Sequence, residues 1–488
     1  MQASNLKLLF VIVVSATSFS LRAQVTSTPN IIFILADDLG YASLNCYGAE
    51  EHLVRTPNID RIAENGMRFT NAYTAASICT PTRYSFITGR YPWRSSLKYG
   101  VLGVTSPLLP DPEAKTVADW LKEKGYHTAA IGKWHLGYGK TGQLEEYTGI
   151  LIPGPLELGF DYHFGVPQNH GDRMGVYIEN DHVYGIRSDK IQPYSRTFYG
   201  SVYEGFDAPQ RVNTETMEML TLKTLDWLSV QSSETPFFLY FAPVAVHHPI
   251  TPSNYMRGMS DCGPYGDFIQ DLDRSVGQII QTLAYKGLLE NSVIIFTSDN
   301  GGEIPGNRPE APEIQAIHAG LKINGDLRGD KHTIWEGGTR VPFIVSWPGK
   351  VGKGTVSEDM IAVMDVFATV ADITGNGLPE DRSVAPDSYS FLPTLIGRGN
   401  EHARTSVVTA DMNGMQAIRM GEWKLIDNSL PEELPEQRRQ RIRTPLELQL
   451  YNLSDDPAEA NNVVENFPDI EKKLSEELDR IRTQESSR

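Results

Sequence analysis

The sequence predicts an α/β protein: a large mixed, mostly parallel sheet flanked by helices, followed by a smaller C-terminal α+β subdomain with an antiparallel sheet. Three observations carry this. Near-continuous apolar runs at Asn30-Ile-Ile-Phe-Ile-Leu-Ala36, 236–246 and 292–298 have the pattern of strands buried on both faces. Segments of helical period separate them, at 56–63, 116–124, 212–229 and 267–286. Beyond the polar, proline-containing stretch 379–386, short strand-like segments at 406–410, 416–420 and 422–426 precede a terminal helix at 469–482. The expected division is a catalytic domain over 24–385 and a subdomain over 386–488.

The first 23 residues stand apart. Lys7, the apolar run 8–14 and the polar, small residues up to Ala23 read as a secretory signal peptide, since the apolar part falls far short of the ~20 residues that cross a bilayer. No later run is long enough to span a membrane, so a soluble exported protein, periplasmic or secreted, is expected. At 488 residues the chain exceeds the ~250–300 at which single cores stop growing. Its three cysteines, Cys46, Cys79 and Cys262, are too few for disulfides to be its main support, although Cys46 and Cys262 could bridge. The formal charge of −17 argues against nucleic acid and anionic membranes as partners. An anionic substrate would need positive charge concentrated locally.

In chain order, the first strand ends in Asp37-Asp38-Leu39-Gly40, adjacent acids that repel unless paired or shared with a cation. The helix 56–63 is stopped by Gly66, and the strand 67–72 leads to Ser77-Ile78-Cys79-Thr80-Pro81-Thr82-Arg83. There Thr80 can cap a helix and Pro81 suits its first position, with Gly89 ending it. Cys79 then lies at the helix's positive end with Arg83 one turn on, a place to bind an oxyanion. After the helix 116–124, the strand 126–131 runs into Gly132-Lys133-Trp134-His135. If that stretch stays extended, Lys133 and His135 share one face.

Residues 138–210 are rich in Gly, Pro, Tyr, His and Asn, and read as long loops for substrate contact, with Tyr162, His163, His170, Asp172, Arg173 and Tyr177 as candidates. Of these, His170, Arg173 and Tyr177 are the expected substrate contacts. The strand 236–246 ends in His247-His248-Pro249, and the strand 292–298 in Asp299-Asn300-Gly301-Gly302. Four strands thus carry functional groups at their carboxyl ends, the edge at which open α/β sheets bind ligands. Glycine-rich, charged residues 327–342 follow, then a strand at 343–347 and a helix at 365–374. Asp37, Asp38, Asp299 and Asn300 offer only oxygen ligands, a hard set suited to Ca²⁺, with Mg²⁺ second.

Cys79-x-Pro81-x-Arg83 with Thr88-Gly89 resembles the signature of the type I sulfatases, and further motifs of that family follow in its order from about 28 to 465. The resemblance implies an alkaline-phosphatase-like fold and oxidation of Cys79 by a formylglycine-generating or equivalent maturation enzyme. The formylglycine hydrate would be the nucleophile and would complete the metal site, where a thiolate suits poorly. It further implies that Arg83 orients residue 79, that Lys133 and Lys331 hold the sulfate, that His247 protonates the leaving alcohol and that His135 takes the proton that frees sulfate. His247 is chosen over His248 because the family places this histidine two residues before proline. Where the family usually has glycine, this chain has Asp330 and His332. The C-terminal stretch 450–457 with Asn461-Asn462 resembles the family's subdomain.

The expected function is hydrolysis of a sulfate ester, with a sulfated carbohydrate as partner. The alternatives are hydrolysis of phosphonate or phosphate diesters by the same nucleophile, or inactive binding of sulfated glycans. A cysteine phosphatase loop is poorly matched, because only three residues separate Cys79 from Arg83.

Overall fold

In the computed structural model, which describes residues 28–198, 201–375, 377–401, 403–440 and 442–488, the run Asn30–Ala36 is strand β1 with all seven residues buried. The signal-peptide reading at 1–23 lies outside the described residues. In chain order the strands continue with β2 (Met67–Tyr73), β3 (His127–Lys133), β4 (Tyr162–Val166), β5 (Ile178–Glu179) and β6 (His182–Val183). A separate hairpin, β7 (Ile191–Phe198) and β8 (Ser201–Phe206), comes before β9 (Phe237–Ala242), β10 (Ser292–Ser298), β11 (Phe343–Ser346) and β12 (Thr355–Ala362). The main sheet has ten strands in the order β12-β2-β11-β10-β1-β9-β3-β4-β5-β6. Its middle five, β10-β1-β9-β3-β4, are all parallel, and β11 is antiparallel to both of its neighbours.

Because side chains alternate across a strand, β1 feeds two cores. Ile31, Phe33 and Leu35 enter one face, where helices α2 (Cys79–Thr88), α3 (Val117–Lys122) and α7 (Asp365–Ile373) pack. Ile32, Ile34 and Ala36 enter the other, covered by α1 (Pro57–Glu64), α4 (Thr216–Ser229), α5 (Pro264–Tyr285) and α6 (Pro312–His318). Each fully buried Ile, Leu or Phe contributes roughly 1.5–3 kcal/mol, so a strand buried on both sides is held firmly. That firmness carries over to the residues at its end.

The antiparallel C-terminal sheet is β13 (Ser406–Ala410), β14 (Gln416–Met420), β15 (Trp423–Ile426) and β16 (Gln449–Asn452), in that order. Helix α8 (Pro468–Thr483) lays Leu474, Leu478 and Ile481 into a core that also contains Tyr73, Tyr91, Ala362 and Met364 of the larger unit. Edge strand β13 runs beside the approach to Cys79. The Ala410 N–H donates to Ala75 O at 3.0 Å and the Ser77 N–H to Ala410 O at 2.9 Å.

Four expectations need correction. Strand β9 stops at Ala242 rather than 246, because the chain turns after Pro243 and exchanges backbone hydrogen bonds between Asp37 and residues 245–246. Burial, not pairing, kept that run apolar. Strand β3 extends through Lys133, and α4 begins at Thr216 after a 3₁₀ turn at Asn213–Glu215. Strands β12 and β16 carried no recognised signal; β12 is a half-exposed edge strand with polar residues on both faces.

One buried cation ties the two units together. Lys424 Nζ on β15 lies 3.0 Å from Glu336 Oε1 and 2.8 Å from Glu459 Oε1, and donates to Ile334 O at 3.1 Å. Burial would push the Glu336 carboxyl up, but Lys424, Arg419 and Arg340 outweigh it and hold it at about 2. Lys424→Ala removes the cation that two buried carboxylates share, leaving Glu336 to Arg340 and Arg419, and should cost about 3–5 kcal/mol of stability, read as a lowered midpoint in chemical denaturation. In the wild type, the contribution of Glu336 is complete above its ordinary value of 4.5 and is lost as pH falls from there through about 2. A midpoint unchanged in the variant would remove Lys424 from this role.

Candidate active site

The carboxyl ends of the parallel strands deliver the site. Asp37 and Asp38 follow β1, Lys133 ends β3, and Asp299 and Asn300 follow β10. His247 arrives from the turn after β9, Lys331 from the 327–342 loop, and Cys79 as the first residue of α2. Ile78, not Thr80, occupies the N-cap position. The Thr80 hydroxyl instead donates to His135 O at 3.1 Å and accepts from the Leu102 N–H at 3.3 Å, tying the nucleophile helix to the β3 loop. Gly89 ends the helix in the left-handed region, at φ 63°.

The chain does not remain extended past Lys133. His135 takes φ 56°, and Trp134 turns into the core, donating from Nε1 to Gly137 O at 2.8 Å. Lys133 and His135 still share the site, through a bend rather than the pleat. Asp38 and His332 are also left-handed, at φ 60° and 77°. Non-glycine residues rarely adopt that conformation, and those that do often sit at functional sites. Gly301 permits the closest loop approach: a Cβ there would come within 1.8 Å of Gly337 O.

At the centre, Lys133 Nζ donates to both Asp37 carboxylate oxygens at 2.8 Å and to Cys79 Sγ at 3.3 Å. The Cys79 thiol donates to Asp37 Oδ1 at 3.8 Å. The Arg83 guanidinium grips Asp299 Oδ2 through Nε and Nη2 at 3.1 and 2.7 Å, and donates from Nη1 to Lys133 O at 2.9 Å. Lys331 Nζ sits 2.6 Å from Asp38 Oδ2, and His247 Nε2 is 3.7 Å from the same oxygen. The Asn300 amide donates to Asp38 Oδ1 at 2.8 Å. The structure therefore brings together Asp37, Asp38, Cys79, Arg83, Lys133, His135, His247, Asp299, Asn300 and Lys331.

Burial dominates the electrostatics. It raises the Asp37 carboxyl to about 7 against the pull of Lys133, whereas Asp299 stays below its ordinary value because Arg83 and Lys133 overcome the same burial. Burial lifts the Cys79 thiol to about 12 even with Lys133 beside it. His135 and His247 are pushed well below the usual histidine range, first by burial and then by the neighbouring lysines. His135 Nε2 lies 3.2 Å from Leu102 O while its buried Nδ1 has no partner, so the neutral ring with its hydrogen on Nε2 keeps an unpaired acceptor at Nδ1.

The donor set fits a hard cation. Ligand atoms of Asp37, Asp38, Cys79 and Asp299 all lie within 4.8 Å of one another, and the buried Oδ1 of Asn300 lacks a hydrogen-bond partner. Oxygen atoms so placed suit Ca²⁺ or Mg²⁺, and the sulfur does not.

The expected substrate contacts separate. Tyr177 is buried, its ring stacked on Phe164 at 5.1 Å, and His170 is buried with Nε2 2.8 Å from Pro249 O. Arg173 is exposed and lines a cleft of 370 Å³ with Gln168, Asn169, Asp172 and His248. Two residues of the site escaped sequence reading. Glu303 accepts a close contact from His248 Nδ1 at 2.9 Å and lies 3.7 Å from Lys331 Nζ; its position just past Asp299-Asn300-Gly301-Gly302 was the available signal. Tyr240, inside β9, places its hydroxyl 3.4 Å from Arg83 Nη1, and nothing in an apolar run marks it.

The family model described as Sulfatase matches residues 29–376. An N-acetylgalactosamine-6-O-sulfatase of Bacteroides thetaiotaomicron is 36% identical, the match covering 95% of this chain and 94% of that protein. Human arylsulfatase A is 32% identical over 82% of this chain and 75% of its own. A solved structure, from work on the metabolism of multiple glycosaminoglycans by Bacteroides thetaiotaomicron, superposes with a TM-score of 0.84 at 35% identity, covering 94% of this chain and all of that one.

With its thiol raised to about 12, Cys79 of the folded, unoxidised chain should resist iodoacetamide at pH 8. Peptide mass spectrometry should find it alkylated at least ~100-fold more slowly than after unfolding. Equal rates would show that the thiol is neither buried nor raised.

Proposed function

The chain belongs to the sulfatase family and is a sulfuric ester hydrolase, and on that premise we propose an exported carbohydrate sulfatase whose nucleophile is formylglycine made from Cys79 by a maturation enzyme. The observation that carries the mechanism is the meeting of residue 79 with two lysines and three buried aspartates at one sheet edge. Carbohydrate is the substrate class because the 36%-identical relative is named for a sulfated N-acetylgalactosamine. The glycosaminoglycan context of the superposed structure agrees with it. Among the described residues no helix is long and apolar enough to cross a membrane.

Asp37, Asp38, Asp299 and Asn300 would hold the metal ion, with Ca²⁺ preferred over Mg²⁺. When bound, such an ion neutralises the carboxylates and acidifies a hydroxyl of residue 79. Lys133 and Lys331, relieved of part of their pairing with Asp37 and Asp38, can then turn donors to the sulfate oxygens. Arg83, locked on Asp299, holds its guanidinium beside residue 79.

An oxygen of residue 79 bonds to sulfur as the ester S–O bond breaks, and His247 gives its proton to the departing alkoxide. The low proton affinity of His247 follows from burial and the two lysines, and an anionic ester bound among them offsets those cations and favours the imidazolium. His135, through Nδ1, takes the proton of the second hydroxyl of residue 79 as sulfate leaves and the aldehyde returns.

Matured protein should release sulfate, with Ca²⁺ present, from a sulfated N-acetylhexosamine in preference to phosphate diesters and phosphonates. Turnover of phosphorus esters alone would sink the proposal. His247→Ala should fold normally and lose ~10²–10⁴-fold in kcat on sugar sulfates, whose alcohols leave poorly, but far less on an activated aryl sulfate; equal losses would remove the acid role. A chelator should both abolish turnover and lower the thermal midpoint, with Ca²⁺ restoring each better than Mg²⁺.

A further inference from the structure

Beside Lys331 opens a cleft of 670 Å³, a size that accommodates a sugar unit or two, lined among others by Glu303, Arg308, Asp330, His332 and Arg443. Four of these come from the loops that carry the catalytic groups. Arg443 comes instead from the C-terminal unit, in the connection between β15 and β16. That connection holds Arg438-Arg439-Gln440-Arg441-Ile442-Arg443, four arginines in six residues of a chain with net charge −17. A second anchor places it against the larger unit: the Arg438 guanidinium lies 5.4 Å from the centre of the Tyr99 ring.

Arg443 is aimed rather than merely present. Its Nη2 and Nη1 lie 2.9 and 3.3 Å from the two carboxylate oxygens of Asp330, which is buried, while 56% of the arginine side chain remains exposed. Only the Nη1 contact is a hydrogen bond, so the ion pair leaves the Nε hydrogen and other hydrogens of the fork for another acceptor. Arg308 stands 3.6 Å from Glu303 with a third of its side chain exposed. The carboxylates of the cleft are already engaged, Glu303 with His248 and Asp330 with Arg443, so the unspent donors are those of the arginines. His332 contributes an imidazole at φ 77°, a conformation that glycine would adopt without strain.

We propose that this cleft is a subsite for a second anionic group of the substrate, a uronate carboxylate or another sulfate on the sugar adjoining the scissile ester, received by Arg443 with Arg308, while His332 hydrogen-bonds the sugar hydroxyls. The inference deepens the sulfatase reading and rests on it. The C-terminal unit thereby becomes part of the specificity machinery: its basic connection adds positive charge outside the cluster of Arg83, Lys133 and Lys331. Glycine at 332 would take φ 77° without strain but would offer the sugar no hydrogen-bonding group.

The test is calorimetric binding to the full chain purified without maturation, so that no turnover intervenes. The ligands are a sulfated N-acetylhexosamine–uronate disaccharide, the same molecule with its carboxyl reduced to an alcohol, and the reduced form carrying a second sulfate. The wild type should bind the first or third about tenfold more tightly than the second, and which of the two is preferred identifies the anion. Arg443→Ala should erase that preference and leave the reduced disaccharide within twofold; Arg443→Lys should recover only part of it, since an ammonium lacks the fork. His332→Gly should weaken all three ligands about equally without shifting the preference. The proposal is overturned if the wild type shows no preference, or if Arg443→Ala weakens all ligands alike or spares the preference. Sulfate release from an aryl sulfate by the matured enzyme reads the underlying activity separately: its absence condemns the sulfatase chemistry, and the binding preference still decides the subsite.

Discussion

Three carboxylates buried within a few ångströms of one another set the terms for the rest of the molecule. Each ionised acid in a dry interior costs several kcal/mol unless matched, and Asp37, Asp38 and Asp299 are matched by Lys133, Lys331 and Arg83. None of the six side chains exposes more than 3% of its surface, so water does little of the balancing. Arg83 is spent structurally on Asp299, with two short hydrogen bonds and a third to Lys133 O. Lys133 is held by Asp37 and Lys331 chiefly by Asp38, with Glu303 3.7 Å away, and these two are the members that a cation shared among the acids would release. An arrangement neutral as it stands, yet able to redistribute charge toward a bound anion, is what chemistry on sulfate esters requires.

Precision at that cluster is inherited from the sheet. Strand β1 is flanked in parallel register by β9 and β10, so the residues following the three strands are fixed to one another by backbone hydrogen bonds before any side chain acts. The Asp299 N–H donates to Ala36 O and the Asp37 N–H to Ala245 O, each at 3.0 Å, which extends the ladder into the loops that bear the acids. The C-terminal sheet adds a constraint from the opposite side: β13 pairs with residues 75–77 and, through Ser77 O, with the His332 N–H at 2.9 Å. Cys79 and Lys331, 252 residues apart in sequence, are thus braced against the same edge.

What could be read in the sequence follows from this. Buried parallel strands announce themselves as apolar runs, and the residues just after them as abrupt clusters of charge, so β1, β10 and Asp37, Asp38, Asp299 and Asn300 were legible from pattern alone. Lys331 and the division of labour between His247 and His248 were not; no periodicity marks a single residue in a glycine-rich loop, and only the family resemblance singled them out. Pattern failed where burial and secondary structure part company, as in the apolar turn after β9, and where an edge strand is polar on both faces, as in β12. It did not mark Tyr177 and His170 as buried, because an aromatic or imidazole in a long loop looks the same whether it faces outward or the underside of the loop. Glu303 and Arg443 act through partners distant in sequence, and such partners become visible only in three dimensions.

The placement of Cys79 bears on when the proposed oxidation can occur. In the folded chain the residue is 2% exposed, lies in the first turn of a helix with every residue buried, and has a thiol driven to about 12. A protein catalyst that acts on this sulfur must reach the main chain on both sides of it, yet residues 75–77 are paired with β13 and Thr80 is tied to the β3 loop. Exposing the sulfur therefore means unpairing the C-terminal sheet edge and lifting α2 off a core that includes Tyr84, Phe86 and Ile87, which at roughly 1.5–3 kcal/mol for each buried large side chain amounts to much of the domain's stability. The proposed conversion to formylglycine would therefore belong to the unfolded chain, before β13 is added, with folding closing residue 79 over the acids afterwards.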